Sequence, residues 1–133
     1  MNGPNSKVAF VESKGYCLRN ATWSWGATGP EGILLLLSNE SQYNQWLGGG
    51  QMLCWLCGGH PSDTTPGGVE RMEHVAAIGA GERGRAAFYT PAFDAKGQER
   101  IWTIAPDLWR VVHVLPADAQ GRVWARLENE RKQ

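Results

Sequence analysis

Residues 51–60 read QMLCWLCGGH, and the layout of the first seven decides the fold. Both of their alternating sets are apolar: Met52, Cys54 and Leu56 on one side, Leu53, Trp55 and Cys57 on the other. A strand of this kind is normally central and covered on both faces. Residues three apart on a continuous strand face opposite ways, so the Cys54 and Cys57 thiols are expected to look away from each other. A shared zinc ion needs both sulfurs on one side, at about 2.3 Å. The Gly58-Gly59 pair allows a turn only after Cys57. Glu70 and His74 follow at a finger-like spacing, without the apolar residues that build a finger. Cys54 and Cys57 therefore read as buried structural thiols, and no metal or other cofactor is expected. A zinc-stabilised domain held by Cys54, Cys57 and His60 is the alternative.

Upstream, the run GILLLL makes 32–37 a buried strand. The next stretch, SNESQYNQWLGGG at 38–50, predicts a short helix over 40–47. Ser38 or Asn39 would cap it, Tyr43, Trp46 and Leu47 would share a face, and Gly48 would end it. Residues 7–12 (KVAFVE) and 16–25 (YCLRNATWSW) read as strands joined by a turn at Ser13-Lys14-Gly15. Trp23 and Trp25 then share a face with Cys17, Arg19 and Ala21.

Downstream, 58–68 (GGHPSDTTPGG) reads as a long loop, and 69–78 (VERMEHVAAI) fits a helix or a strand. Gly79, Gly81 and Gly84 spell G-x-G-x-x-G, but a dinucleotide site needs a long helix from the third glycine. Pro91 would end such a helix after two turns, so an exposed loop with Glu82, Arg83 and Arg85 is the expectation. Strands are expected at 85–93, 99–104, 108–115 and 122–128, in a meander. Asp94-Ala95-Lys96-Gly97 and Asp118-Ala119-Gln120-Gly121 read as the same Asp-initiated type I turn closed by a left-handed glycine.

Three groups of residues stand out as candidates for function. On the strand at 108–115, His113 shares a face with Trp109, Val111 and Leu115. If the sheet curls, Trp109 and His113, joined by Trp23 and Trp25, would line a pocket for a small apolar ligand. His113 is also the candidate acid or base of an alternative reading, a small enzyme. On the last strand Trp124 stands between Arg122 and Arg126 on a face expected to see solvent, the setting of a protein contact. No G-x-S-x-G, H-E-x-x-H or paired-carboxylate pattern is present.

Composition bounds the rest. A chain of 133 residues fits one domain, and its 13 basic and 13 acidic residues cancel. The field that would draw nucleic acid or an anionic membrane is therefore missing, and self-association meets little repulsion. No signal peptide is read at MNGPNS, and three cysteines suit a reducing cytoplasm. The Asn20-Ala21-Thr22 sequon is then fortuitous. Seventeen glycines and seven tryptophans imply many turns and more aromatic area than a small core absorbs.

The expectation is a single α+β domain, 1–133, with flexible ends at 1–6 and 129–133. Its sheet is predominantly antiparallel, strongly curved or barrel-like, with one or two short helices. The expected function is a cytoplasmic, self-associating (dimeric) binding protein with an aromatic-lined face or pocket.

Overall fold

Strand β3 (Gly32–Ser38) organises the structure, because all five of its apolar residues, Ile33 to Leu37, are buried. Leu34 and Leu36 pack on one side with Phe10 and Val11. Ile33, Leu35 and Leu37 pack on the other with Val75 and Ile78. A strand apolar on both faces needs a cover on each. Helix α1 (Pro4–Ser13) supplies one and helix α2 (Pro66–Gly79) the other. Each fully buried leucine contributes roughly 1.5–3 kcal/mol through the apolar surface it removes from water.

The computed structural model describes residues 4–132, and their side chains other than 4–6, 99–102 and 132. The remaining strands are β1 (Cys17–Leu18), β2 (Gly26–Gly29), β4 (Asn44–Gly48), β5 (Gln51–Cys57), β6 (Gly84–Phe93), β7 (Glu99–Ile104), β8 (Trp109–Val114) and β9 (Val123–Asn129). They form one nine-stranded sheet in the order β1-β2-β3-β6-β8-β9-β5-β4, with β7 pairing the far half of β6. The protein is therefore mixed α+β. Two parts of the expectation are corrected. Strands β3 and β6 pair in parallel, and the sheet does not close into a barrel. Its two outer strands, β1 and β4, do not pair with each other, and α2 packs against both β3 and β5.

The strands expected at 32–37, 51–57, 85–93, 99–104, 108–115 and 122–128 are all present within a residue or two. Both Asp turns form as read. Asp94 Oδ1 accepts the N–H groups of Lys96 and Gln98, and Asp118 Oδ1 those of Gln120 and Arg122, each at 2.9 Å. Gly97 and Gly121 close them at φ +79°.

Three local readings are overturned. Residues 7–12 lie in α1, because Lys7, Phe10 and Val11 form a buried helical stripe whose first member is charged. Lys7 Nζ donates to Ser24 O at 2.9 Å and lies 5.0 Å from the centre of the Trp25 ring. The strand expected over 16–25 stops at Leu18. Asn20 Oδ1 there accepts the N–H groups of Thr22 and Trp23 at 2.8 and 3.1 Å, a local turn that outcompetes a ladder.

The expected helix at 40–47 is a 3-10 turn, Ser41–Tyr43, followed by β4. Asn44 Nδ2 occupies the Ser38 and Glu40 carbonyls, and β5 offers β4 an antiparallel partner. The G-x-G-x-x-G stretch holds the expected exposed loop at 80–83, with Glu82 and Arg83 in it and Arg85 already in β6. Gly79 ends α2 and Gly84 opens β6.

The ambiguous segment 69–78 is the body of α2, which begins three residues earlier. Thr65 Oγ1 accepts the Gly68 N–H at 3.1 Å as N-cap, and Pro66 holds the first helical position. Residues 4–6 open α1, Asn129 ends β9 and 130–132 form a 3-10 turn. The expectation of flexible ends also covers 1–3 and 133, which lie outside the described residues. No helix among the described residues is long and apolar enough to cross a membrane.

Candidate ligand-binding site

The strict alternation expected to place Cys54 and Cys57 on opposite faces breaks before Cys57. A bulge lies between Trp55 and Cys57, where Trp55 pairs with Trp124 and Cys57 already pairs with Val123. One residue is skipped, so the alternation slips and Cys57 joins Cys54 in the same core cluster. Burial pushes the Cys54 thiol up to about 12 and the Cys57 thiol upward as well, so both stay protonated. Among the described residues, no three His, Cys, Asp or Glu side chains are gathered to hold an ion. His60 is engaged elsewhere: its Nδ1 accepts the Ser62 N–H at 3.0 Å and its Nε2 lies 3.2 Å from the Tyr43 hydroxyl. The backbone N–H only donates, so in the neutral ring Nε2 carries the proton and gives it to Tyr43 Oη.

Beside the ends of β3 and β5, a cavity of about 270 Å³ lies against the first turns of α2. Its ring-bearing walls are Trp25, Tyr43, Trp55, Tyr89 and His60. Trp25 stacks on Tyr89 with ring centres 5.2 Å apart. Tyr43 and Trp55 are tilted together at 5.4 Å. Arg122 lies 4.6 Å from the centre of the Trp55 ring and helps fix it.

The far wall is Arg71. Its Nη1 donates to Leu56 O at 3.2 Å, and its Nη2 donates to Trp25 O and Leu36 O at 3.0 and 2.6 Å. One guanidinium thus ties β3, β5 and the chain entering β2, three segments without a shared ladder between the first two. Burial pushes its pKa down, opposed by Tyr89, Cys57 and Glu70. The group remains a cation. Its Nε is buried without a partner.

Opposite stands Asn44. Its amide orientation is settled chemically, because Nδ2 faces two carbonyl oxygens, Ser38 O and Glu40 O, and must be the donor. That leaves Asn44 Oδ1, which is buried and has no partner.

Two glycines let α2 start against this wall. A side chain at Gly67 would stand 2.5 Å from Trp23 O and 2.9 Å from the Trp25 ring. One at Gly68 would run into the Ser62 carbonyl. The floor of the loop is held by Asp63, whose carboxylate accepts the N–H groups of Gly58 and His60 at 3.3 and 3.0 Å.

The residues singled out from sequence divide among three places. Trp25 and His60 line the cavity, and Cys57 borders it. Trp23 is half-buried beside the start of α2. Trp109 is buried in the core against Phe88, with Trp46 edge-on at 5.7 Å. His113 is exposed by a bulge in β8 between Val111 and His113, and borders an open groove beside Gly79. Trp109 and His113 are therefore not brought together with Trp25. Arg122, Trp124 and Arg126 do share one region. Trp124 is half-buried, stacks at 6.3 Å on Trp55 and donates its indole N–H to Asp118 at 3.2 Å, while Arg126 pairs with Glu128.

Arg71, Asn44 and Tyr43 escaped the sequence reading as site residues. The signal for Arg71 was present in Thr65-Pro66, an N-cap followed by a first-turn proline, which starts the helix early enough to carry Arg71 inward. No comparable signal marks Asn44.

No protein-family model matches the chain, and neither a curated protein nor a solved structure matches it.

Proposed function

We propose that this chain is a small-molecule binding protein and that its site is the cavity between β3, β5 and the start of α2. The supporting observation is one half-open cavity of about 270 Å³ lined by Trp25, Tyr43, Trp55 and Tyr89, with the partly buried cation of Arg71 among them. Apolar walls with a few convergent polar groups are the usual make-up of a ligand pocket. The ligand differs from the earlier expectation in place: it meets Trp25 but neither Trp109 nor His113. A cytoplasmic setting belongs to this reading and is supported by three free thiols.

Ligand-observed NMR against a mixed set of aromatic fragments tests it. Fragments that bind the wild type and are lost in Ser62→Trp, which drops an indole over the rim, are the expected result. Fragments that bind both proteins equally would remove the cavity as the site.

Self-association through Arg122, Trp124 and Arg126 is the second part of the proposal. Helix α2 packs on the Ala125 and Leu127 side of β9, whereas Trp124 lies on the other side, where Arg122 and Trp55 continue the surface. Light scattering after size exclusion decides it: a dimer at high micromolar concentration that Trp124→Ala dissociates is expected, and a strict monomer ends it.

A further inference from the structure

The loop between β5 and α2 places a hydroxyl against a base. Ser62 and His60 both line the cavity, and Ser62 Oγ lies 2.7 Å from His60 Nδ1. The Ser62 N–H also donates to Nδ1, at 3.0 Å. That nitrogen therefore carries no proton, and the hydroxyl must donate to it as well. Capping the 3-10 turn Pro61–Thr64 needs only the backbone bond. The hydroxyl bond is additional, and it points the proton of an exposed serine at an imidazole nitrogen.

Both partners are held in place. Ser62 O accepts the Thr65 N–H at 3.0 Å and the Thr65 hydroxyl at 2.6 Å. Asp63 Oδ2 accepts the His60 N–H at 3.0 Å. The centre of the His60 ring stands 5.9 Å from that of Tyr43 and 5.5 Å from that of Trp55, and its Nε2 lies 3.2 Å from Tyr43 Oη. A nucleophile within hydrogen-bond reach of a base, with the base oriented by a third group, is the arrangement that activates a serine. Gly67 and Gly68, in the first turn of α2, line the same cavity. A helix start carries partial positive charge, which favours the oxyanion formed when a carbonyl is attacked.

We infer that Ser62 is an acyl-accepting nucleophile, with His60 its base and Tyr43 a positioning residue, and that the substrate is a small ester of an aromatic acid. The aromatic acyl group rests on the cavity reading, because the rings of Trp25, Tyr43, Trp55 and Tyr89 would receive it; the Ser62–His60 pair stands on its own geometry. Ser62 Oγ bonds to the carbonyl carbon and its proton passes to His60 Nδ1. The bond from that carbon to the alcohol oxygen breaks as the proton reaches the leaving oxygen. Water then attacks the acyl-serine and gives one proton to Nδ1, which returns it to Ser62 Oγ. Ester and water leave as acid and alcohol.

The full chain is tested with 4-nitrophenyl phenylacetate and 4-nitrophenyl acetate. Nitrophenolate release is corrected for buffer hydrolysis, and mass spectrometry of peptides locates the acyl group. The expected result is acylation at Ser62 and a preference of about tenfold or more for the phenylacetyl ester. Ser62→Ala and His60→Asn, which can still cap the turn, should each lower kcat/KM about a hundredfold or more. Ser62→Cys keeps a nucleophile and should take the acyl group on sulfur. Tyr43→Phe keeps the ring and should lower kcat with KM unchanged; an unchanged kcat removes Tyr43 from the positioning role. Hydrolysis that Ser62→Ala leaves intact, or no adduct on Ser62 with either ester, overturns the inference and leaves the cavity reading standing. If Ser62 is acylated and the two esters react alike, the Ser62–His60 pair holds and the aromatic substrate falls together with the cavity that was to receive it.

Discussion

The two ends of α2 are built to opposite purposes. At its start, Thr65 caps the helix, Gly67 and Gly68 press against neighbouring backbone, and Arg71 reaches three carbonyls in three segments. At its finish, a side chain at Gly79 would meet only Val114 at 3.9 Å, and exposed His113 borders the groove beside it. Both ends border a cavity, and what differs is the packing around the helix itself. At the start a cation is held against three carbonyl oxygens, and at the finish the last helical glycine has room beside it.

The sharpest way to break that contrast is to remove the cation. Arg71→Met leaves the carbonyls of Trp25, Leu36 and Leu56 without their donor in a partly buried setting. A loss of about 3 kcal/mol or more is expected, read from urea unfolding, with Arg71→Lys falling between. An unchanged midpoint would mean that β3 and β5 need no tie through Arg71.

Glycine substitutions at the two ends come next. Gly68→Ala pushes a methyl into fixed backbone and is expected to cost about 1–3 kcal/mol. Gly79→Ala meets nothing closer than 3.9 Å and is expected to be neutral or to stabilise by about 0.5–1 kcal/mol, since alanine suits a helix better. Equal effects at both positions would erase the distinction drawn here.

The smallest effect lies between the ends, at His74. Its Nδ1 is buried without a partner, and burial holds its pKa below the usual 6.5, against the pull of Glu70. The unfolded chain therefore takes up the proton first as pH falls. The stability linked to His74 is present above pH 6.5 and is lost as pH drops below it toward the folded value. Denaturation midpoints at pH 7.5 and 5.5 should separate more for the wild type than for His74→Gln; identical separations would dissociate His74 from the pH response.

How much was legible in the residues divides along the chain. From β5 onward the strands are apolar runs bounded by strong turn chemistry, and Asp94, Gly97, Asp118 and Gly121 act within four residues of themselves. Before it, the deciding interactions are distant or polar. Lys7 hides in a helical stripe because Ser24 and Trp25 receive it, and Asn20 and Asn44 redirect the backbone with their own amides. A pattern of apolar spacing is blind to a buried lysine and to an asparagine that captures carbonyls. The site suffered most, because Trp25, Tyr43, Trp55 and Arg71 lie on four separate segments.

Local chemistry alone determined the mixed α+β character, six strand positions and both Asp turns. These follow from forces acting over a few neighbouring residues. Tertiary structure alone decided that β3 pairs β6 in parallel, that the sheet stays open between β1 and β4, and that one bulge puts Cys57 in the same core cluster as Cys54. Those outcomes depend on which distant carbonyls a single arginine satisfies and on which partner each strand meets, and neither is encoded in the spacing of residues along the chain.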